Sequence, residues 1–326
     1  MRINKDHYRG CLLGGAVGDA KGYHQIHEGG KNLITDNTQL TIFSVDGMIW
    51  ADERVKRKGV YAYIPCLFYS YQKWYYTQTG GLADKDYGFI LDGEVMQHDE
   101  LFARRGEGVT SMNALASSIK NSYGTVESRI NNLNRPGCVA RVAPIGLYFV
   151  NNPDMAFRIA CESAALTHGH TEAIMSAGYM GALTSLLAQG ASLPEAIEGA
   201  LARLDESSFE DTVTADLIRS AVSLASGKKQ TRKIIESIGE GWTAPEATAI
   251  ATLVALRHGK NYESVIDAAT DFDGNSDSVA PICGNIVGTI VGCLEIPAGW
   301  ILNLELAELI IHSADLLLEA QHELIK

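Results

Sequence analysis

The sequence predicts an all-α protein, and three observations carry the prediction. Apolar residues recur at intervals of three and four through most segments. Strand-like alternation is sparse. One long segment near the C-terminus is apolar nearly all round and carries glycine at every fourth position. With 46% hydrophobic residues in 326, the chain is long enough to bury a large helical core. Its eight prolines are scattered, and no Gly/Ser-rich linker or run of like charge divides it, so residues 1–326 read as a single domain.

Along the chain, Leu40, Phe43, Gly47 and Trp50 are spaced for one helix face. Residues 61–76 concentrate aromatic side chains far above the chain average of 8%. They suit a helix whose rings fill the core, or a Tyr/Trp-rich contact surface for a protein partner. Ile174, Gly178 and then Met180 to Leu183 return to helical spacing. Residues 194–204, 211–226, 244–257, 260–270 and 302–323 each read as an amphipathic or buried helix, most opening near Ser, Thr, Asp or Pro. The segment from Asp277 to about Leu294 sets Ile282, Ile286 and Ile290 on one stripe and Gly284, Gly288 and Gly292 on another. Being apolar on all sides means burial among other helices, and the glycine stripe lets a neighbouring backbone approach closely. Its start aims free N–H groups and the positive dipole end toward Asn275, Ser276 and Asp277.

Composition excludes several function classes. A formal net charge of -12 argues against phosphate-backbone binding, which needs a basic face to displace counterions, so no nucleic-acid partner is expected. The start of the chain is polar, without the apolar run of a secretory signal. The longest apolar segment, Val279 to Leu294, is broken by Gly284, Asn285, Gly288 and Gly292 and falls short of the roughly 20 residues that span a bilayer, so no membrane partner is expected. Six widely spread cysteines form no CxxC and no Cys/His cluster at zinc spacing, and they read as small core residues in a reducing compartment. The expected location is cytoplasmic.

Two short segments carry oxygen side chains at helix starts: Thr35, Asp36 and Asn37 before Leu40, and Asn275, Ser276, Asp277 and Ser278 before the glycine-striped helix. Oxygen-only ligands suit hard cations such as Mg²⁺, Ca²⁺ or Mn²⁺. The same residue types are the ordinary N-cap residues, so composition leaves capping and metal binding both open.

Five ordered motifs together resemble the ADP-ribosylglycohydrolase family, which includes the dinitrogenase-reductase-activating glycohydrolase and the ADP-ribosylarginine hydrolases. They are Gly14 to Gly22, Thr35 to Phe43, Gly137 to Pro144, Thr167-His168, and Gly274 to Ala280. The resemblance implies a compact helical fold with two Mg²⁺ or Mn²⁺ ions at the bottom of a cleft, which releases ADP-ribose from a modified side chain by attack of a metal-positioned water. On this resemblance Thr35, Asp36, Asn37, Asn275, Asp277 and Ser278 are the metal positions, and Asp36 and Asp277 carry the catalysis. Gly106, Gly108, Gly137, Cys138, Arg141 and His168 line the ADP-ribose cleft. A histidine satisfying a helix end and a helix-entry turn remain the alternative readings of His168 and of Gly106-Glu107-Gly108.

The departures fall on the chemistry. Asn37 and Asn275 stand where the family pattern has carboxylates, Ile26 stands at the position counted for its glutamate, and Pro136 replaces an asparagine beside the pyrophosphate loop. Glu28, two residues past Ile26, is the candidate substitute. Two divalent ions bring four positive charges, and this chain keeps Asp36 and Asp277 to meet them. A neutral amide attracts a cation far less than a carboxylate, and Mg²⁺ gives up its waters reluctantly. The expectation is weak or single-site Mg or Mn binding, with no organic cofactor. The function expected first is that of a pseudoenzyme: a catalytically impaired, hydrolase-derived binding protein that grips a protein partner such as an ADP-ribosylating toxin, in the manner of an immunity protein. The alternatives are an active Mg/Mn-dependent hydrolase acting on ADP-ribosylated proteins, and a structural protein with an unused cleft.

Overall fold

The computed structural model describes residues 4–24, 30–119, 122–207, 213–259 and 261–323. Among those residues the fold is built from sixteen α-helices: α1 (Lys5–Tyr23), α2 (Asp36–Lys58), α3 (Tyr63–Thr79), α4 (Val109–Ser117), α5 (Gly137–Ala140), α6 (Ala143–Tyr148), α7 (Pro153–Ala165), α8 (Thr171–Ala188), α9 (Leu193–Asp205), α10 (Val213–Ala225), α11 (Thr231–Ile238), α12 (Ala244–His258), α13 (Tyr262–Thr270), α14 (Ser276–Val291), α15 (Ala298–Leu302) and α16 (Ala307–Glu323). Extended pairing among the described residues is limited to two isolated bridges, Asn32 with Leu304 and Ile119 with Ser122. The chain is all-α, as its periodicity predicts. The helices expected over 194–204, 211–226, 244–257 and 260–270 correspond to α9, α10, α12 and α13, with residues 211, 212 and 260 outside the described part.

The pair at the centre is α1 and α14, joined through two glycine stripes. On α1, Gly10, Gly14, Gly18 and Gly22 face α14. A Cβ on Gly14 would stand 2.5 Å from the Gly284 carbonyl oxygen, and one on Gly22 2.5 Å from that of Ser276. No Cβ fits at such distances, so only glycine lets the two backbones meet. The Asn285 amide ties the pair by donating to the Cys11 carbonyl (2.9 Å), and the Tyr262 hydroxyl of α13 fastens α13 to α1 by donating to the Gly14 carbonyl (2.6 Å). The stripe at 284 and 288 thus meets a backbone, as its spacing predicts. Gly292 does not continue the helix: its φ of 86° ends α14 at Val291, short of Leu294.

Around this pair, α8 is buried from Ala173 to Ser185 and packs between α7 and α9. The aromatic segment resolves into core. Phe68, Tyr71 and Trp74 of α3 are buried, and the Tyr71 hydroxyl meets Ser44 of α2 and Ser163 of α7 at 2.8 and 2.9 Å, while Tyr61 stays outside the helix and exposed. Each such ring removed from water contributes on the order of 2 kcal/mol. The stretch 302–323, expected as one helix, is interrupted before α16. Asn32 donates to the Asn303 carbonyl (2.7 Å) and accepts from the Glu305 N–H (3.1 Å), and Leu306 takes a φ of 57°. That detour brings Glu305 inside.

Candidate functional site

The start of α2 is held from below by a buried carboxylate. Thr35 is the N-cap, its hydroxyl accepting the Asn37 N–H at 3.2 Å. Asp19 of α1, fully buried, accepts the N–H groups of Thr35 (2.8 Å) and Thr38 (3.2 Å) and both of their hydroxyls (2.6 Å each). Burial pushes the Asp19 carboxyl up to about 6, and the Thr35 and Thr38 hydroxyls and the Thr35 N–H oppose the rise. The Thr35 hydroxyl, whose proton is given to Asp19, is therefore a capping group, and Thr35 is buried behind the cleft rather than lining it.

The start of α14 is set by its neighbours. Asn275 donates its backbone N–H to the Glu240 carbonyl (2.8 Å) and its side-chain amide to the Gly241 carbonyl (3.1 Å), while the Ser276 hydroxyl reaches the Gly22 carbonyl (3.1 Å). Four residues after Asp277 stands Pro281, which has no N–H to give to the Asp277 carbonyl. The Asn37 amide takes that carbonyl at 3.0 Å and so ties α2 to α14.

The two helix starts therefore face one cleft of about 390 Å³, lined by Asp36, Asn37, Asn275, Asp277 and Ser278. A loop folds over Asp36: Gly106, Glu107 and Gly108 run through φ of 72°, 61° and 48°, a left-handed run that glycine tolerates and glutamate does not favour. A Cβ on Gly106 would collide with Asp36 Oδ1, and one on Gly108 would stand 2.9 Å from Asp36 Oδ2 and from the Trp74 ring. The loop is anchored by the Asp36 N–H donating to the Arg105 carbonyl (3.2 Å) and by the Gln39 amide donating to the Ala103 carbonyl (2.8 Å). Arg105 in turn pairs through both terminal nitrogens with Glu305 and donates to the Ile34 carbonyl (3.2 Å). The Ile34 N–H completes the ring by donating to Glu305 (3.3 Å).

Asp36 is 9% exposed, and no side-chain donor among the described residues reaches its carboxylate. Burial, and then the neighbouring charges of Asp19 and Asp277, push its carboxyl up to about 8 against the pull of its own N–H and of Arg141. The Asp277 carboxyl is raised by burial and held back by the N–H groups of the first turn of α14.

Of the residues expected around the ligand, Gly106, Gly108, Gly137 and His168 line the cleft. Cys138 and Arg141 do not. The Cys138 thiol lies in the core, with sulfur 3.6 Å from the carbonyls of Arg135 and Ala173 and its pKa pushed up to about 12 by burial. Arg141 is fully buried behind the cleft, over the Tyr71 ring at 4.3 Å, and donates to Ser111 (3.4 Å), the Ser163 carbonyl (3.1 Å) and the Thr167 hydroxyl (2.7 Å). The same hydroxyl lies 2.8 Å from His168 Nδ1. Burial and Arg141 hold the imidazole neutral, its pKa well below the ordinary value. Sequence reasoning missed Asp19 as the floor of the site, the Arg105 and Glu305 clamp, and Arg135 and Trp242 at the rim. Ile26 and Glu28 lie outside the described residues.

The donor set can be tested against two divalent ions. Asp19 is consumed by capping, Thr35 donates to it, and the amides of Asn37 and Asn275 are bound to protein carbonyls. Asp36 and Asp277 remain at the two helix starts, with Glu107 of the covering loop lining the same cleft, and no group of three His, Cys, Asp or Glu among the described residues is arranged to hold a metal. These residues do not fit a two-metal centre.

Comparison with known proteins places this geometry among relatives. A family model described as ADP-ribosylglycohydrolase matches residues 2–324. An Archaeoglobus fulgidus protein described only as uncharacterized is 28% identical over 190 residues, which is 58% of this chain and 60% of that protein, so the match spans less than two thirds of the relative. A solved structure titled "ADP-ribosylglycohydrolase-related protein complex" superposes over 98% of this chain and all of its own, with a TM-score of 0.63 and 21% identity, and is alike in fold. No described helix is long and apolar enough to cross a membrane.

Proposed function

Because the chain belongs to the ADP-ribosylglycohydrolase family, we propose that it uses the family's cleft to bind rather than to hydrolyse, as a cytoplasmic protein engaging a partner of the ADP-ribosylation cycle. That partner is an ADP-ribosylated protein or, in an immunity-like role, an ADP-ribosylating toxin. The observation that carries the reading is the pair of asparagines. Asn37 and Asn275 spend their amides on the Asp277 and Gly241 carbonyls, so positions that would carry charge toward cations instead fasten α2 to α14 and α14 to the loop before α12. The two carboxylates left at the helix starts, Asp36 and Asp277, do not balance a pair of divalent ions in a partly desolvated site.

The rest of the cleft suits binding. A neutral His168 imidazole stands at the wall, the Gly106 to Gly108 loop brings backbone close to a bound group, and Trp242, 46% exposed at the rim, offers a ring face. The net charge of -12 suits a basic partner. A Mg- or Mn-dependent hydrolase is the second reading, and what favours it is that Asp36 and Asp277 line the same cleft. The test is release of ADP-ribose from ADP-ribosylated arginine peptide with Mg²⁺ or Mn²⁺ supplied. The binding reading expects no release above the protein-free control. Metal-dependent turnover abolished by Asp36→Ala or Asp277→Ala would install the hydrolase in its place.

A further inference from the structure

The far end of the central helix pair holds a second cavity, of about 550 Å³, walled by Leu187, Leu193, Ala255, Leu256 and Ile290 and lined also by His7 and Thr289. Ser276 begins α14 and Thr289 lies in its last turn, so the cavity stands about 20 Å along that helix from the cleft. The two share no lining residue. His7 of α1 is 5% exposed and sets its Nδ1 3.1 Å from the Thr289 carbonyl. A carbonyl only accepts, so the proton of a neutral ring sits on Nδ1, and Nε2 is left as a lone-pair acceptor. Among the described residues no group donates to Nε2.

Apolar walls around a buried acceptor call for a molecule with an apolar body and one donor. A hydroxyl supplies that donor without charge. An ammonium would supply it too, but one neutral acceptor does not offset the water lost by a buried cation. A carboxylate needs the ring protonated. It would also enter past Glu195, an exposed lining residue whose carboxylate accepts the Ser192 N–H (2.9 Å) and hydroxyl (2.6 Å), on a chain of net charge -12. A wholly apolar molecule would leave Nε2 dehydrated and unpaired. The Thr289 hydroxyl does not serve Nε2, because its proton goes to the Asn285 carbonyl (2.6 Å). We propose that this cavity binds a small neutral molecule with an apolar body and a hydroxyl group, an alcohol or a phenol, whose O–H donates to His7 Nε2. The site is independent of what the cleft binds or hydrolyses.

The experiment is a ligand-detected NMR titration of the full chain with 4-propylphenol, with propylbenzene, which lacks the hydroxyl, and with 4-propylbenzoate. The phenol is expected to bind at one site at least tenfold more tightly than either of the others. His7→Phe keeps a ring and removes the acceptor, so it should weaken the phenol tenfold or more while leaving propylbenzene within about twofold. Because that change also breaks the bond to the Thr289 carbonyl, Ile290→Trp is the second variant. It fills the cavity from a half-buried wall position with His7 intact, and it should abolish binding of the phenol. Equal affinity for the phenol and propylbenzene, tighter binding of the benzoate, or no binding of the phenol overturns the inference. So does phenol binding left unchanged in either folded variant.

Discussion

Asn37 and Asn275 decide what the cleft can attract, and each differs from aspartate by one nearly isosteric group. Asn37→Asp together with Asn275→Asp restores two charges beside Asp36 and Asp277, and Mg²⁺ affinity should rise at least tenfold, or about 1.4 kcal/mol. Without metal the double variant should be less stable, because four carboxylates repel one another and the Asp277 carbonyl loses its amide donor. Mg²⁺ should recover that loss by binding only the folded state. Thermal melts with and without Mg²⁺ read both effects, and equal metal-induced shifts in variant and wild type would show that the cleft does not gather the four side chains around a cation. Asp36 gives a second residue-level prediction. Its carboxyl titrates near 8 in the fold and at the ordinary carboxylate value, about 4, when unfolded, so the native state binds the extra proton between those limits and stability falls as pH rises through them. Asp36→Asn removes this penalty. Its stability advantage over wild type should be larger at pH 9 than at pH 5 by at least about 1.4 kcal/mol, the equivalent of one pKa unit. Denaturant titrations at the two pH values test this, and a constant difference would contradict it.

At the scale of elements, the junction of α1 with α14 and the clamp on the glycine loop make separate claims. Gly14→Ala should gain about 1 kcal/mol of helix propensity. Its Cβ, however, would press on the Gly284 carbonyl, and overpacking against backbone that cannot yield should outweigh the gain and leave a net loss of about 2 kcal/mol. Urea unfolding checks the sign, and a stabilised Gly14→Ala would mean the helices are farther apart than described. Glu305→Ala strands the half-buried Arg105 guanidinium and should cost on the order of 3 kcal/mol. It should also lower hydrogen-exchange protection of the Asp36 amide, which donates to the Arg105 carbonyl. Unchanged protection would separate the clamp from the loop. These elements also mark what was legible beforehand. The stripe of Gly284 and Gly288 on an otherwise apolar segment announced a close neighbour. That neighbour was harder to read as a helix, because five glycines and Asp19 interrupt the apolar pattern of α1. Arg105 and Glu305 are separated by 200 residues, and no local pattern joins them.

Across the whole molecule, the all-α class followed from spacing alone, since helical periodicity survives in every long segment except the glycine-rich first one. The two segments of oxygen side chains were legible because they sit at two helix starts, where such residues have a local reason to be, and the fold brings Asp36, Asn37, Asn275, Asp277 and Ser278 to one cleft with Thr35 buried behind it. The direction of each side chain was not. Pro281 frees a carbonyl that turns the Asn37 amide toward protein, and Cys138 and Arg141 point into the core because α5 buries them. The central claim is that this cleft no longer assembles two metals and therefore binds without hydrolysing. Calorimetric titration of the full chain with Mg²⁺ and then Mn²⁺ tests it most directly. The account predicts at most one weak site for either ion, and two tight sites, both lost in Asp36→Asn, would contradict it.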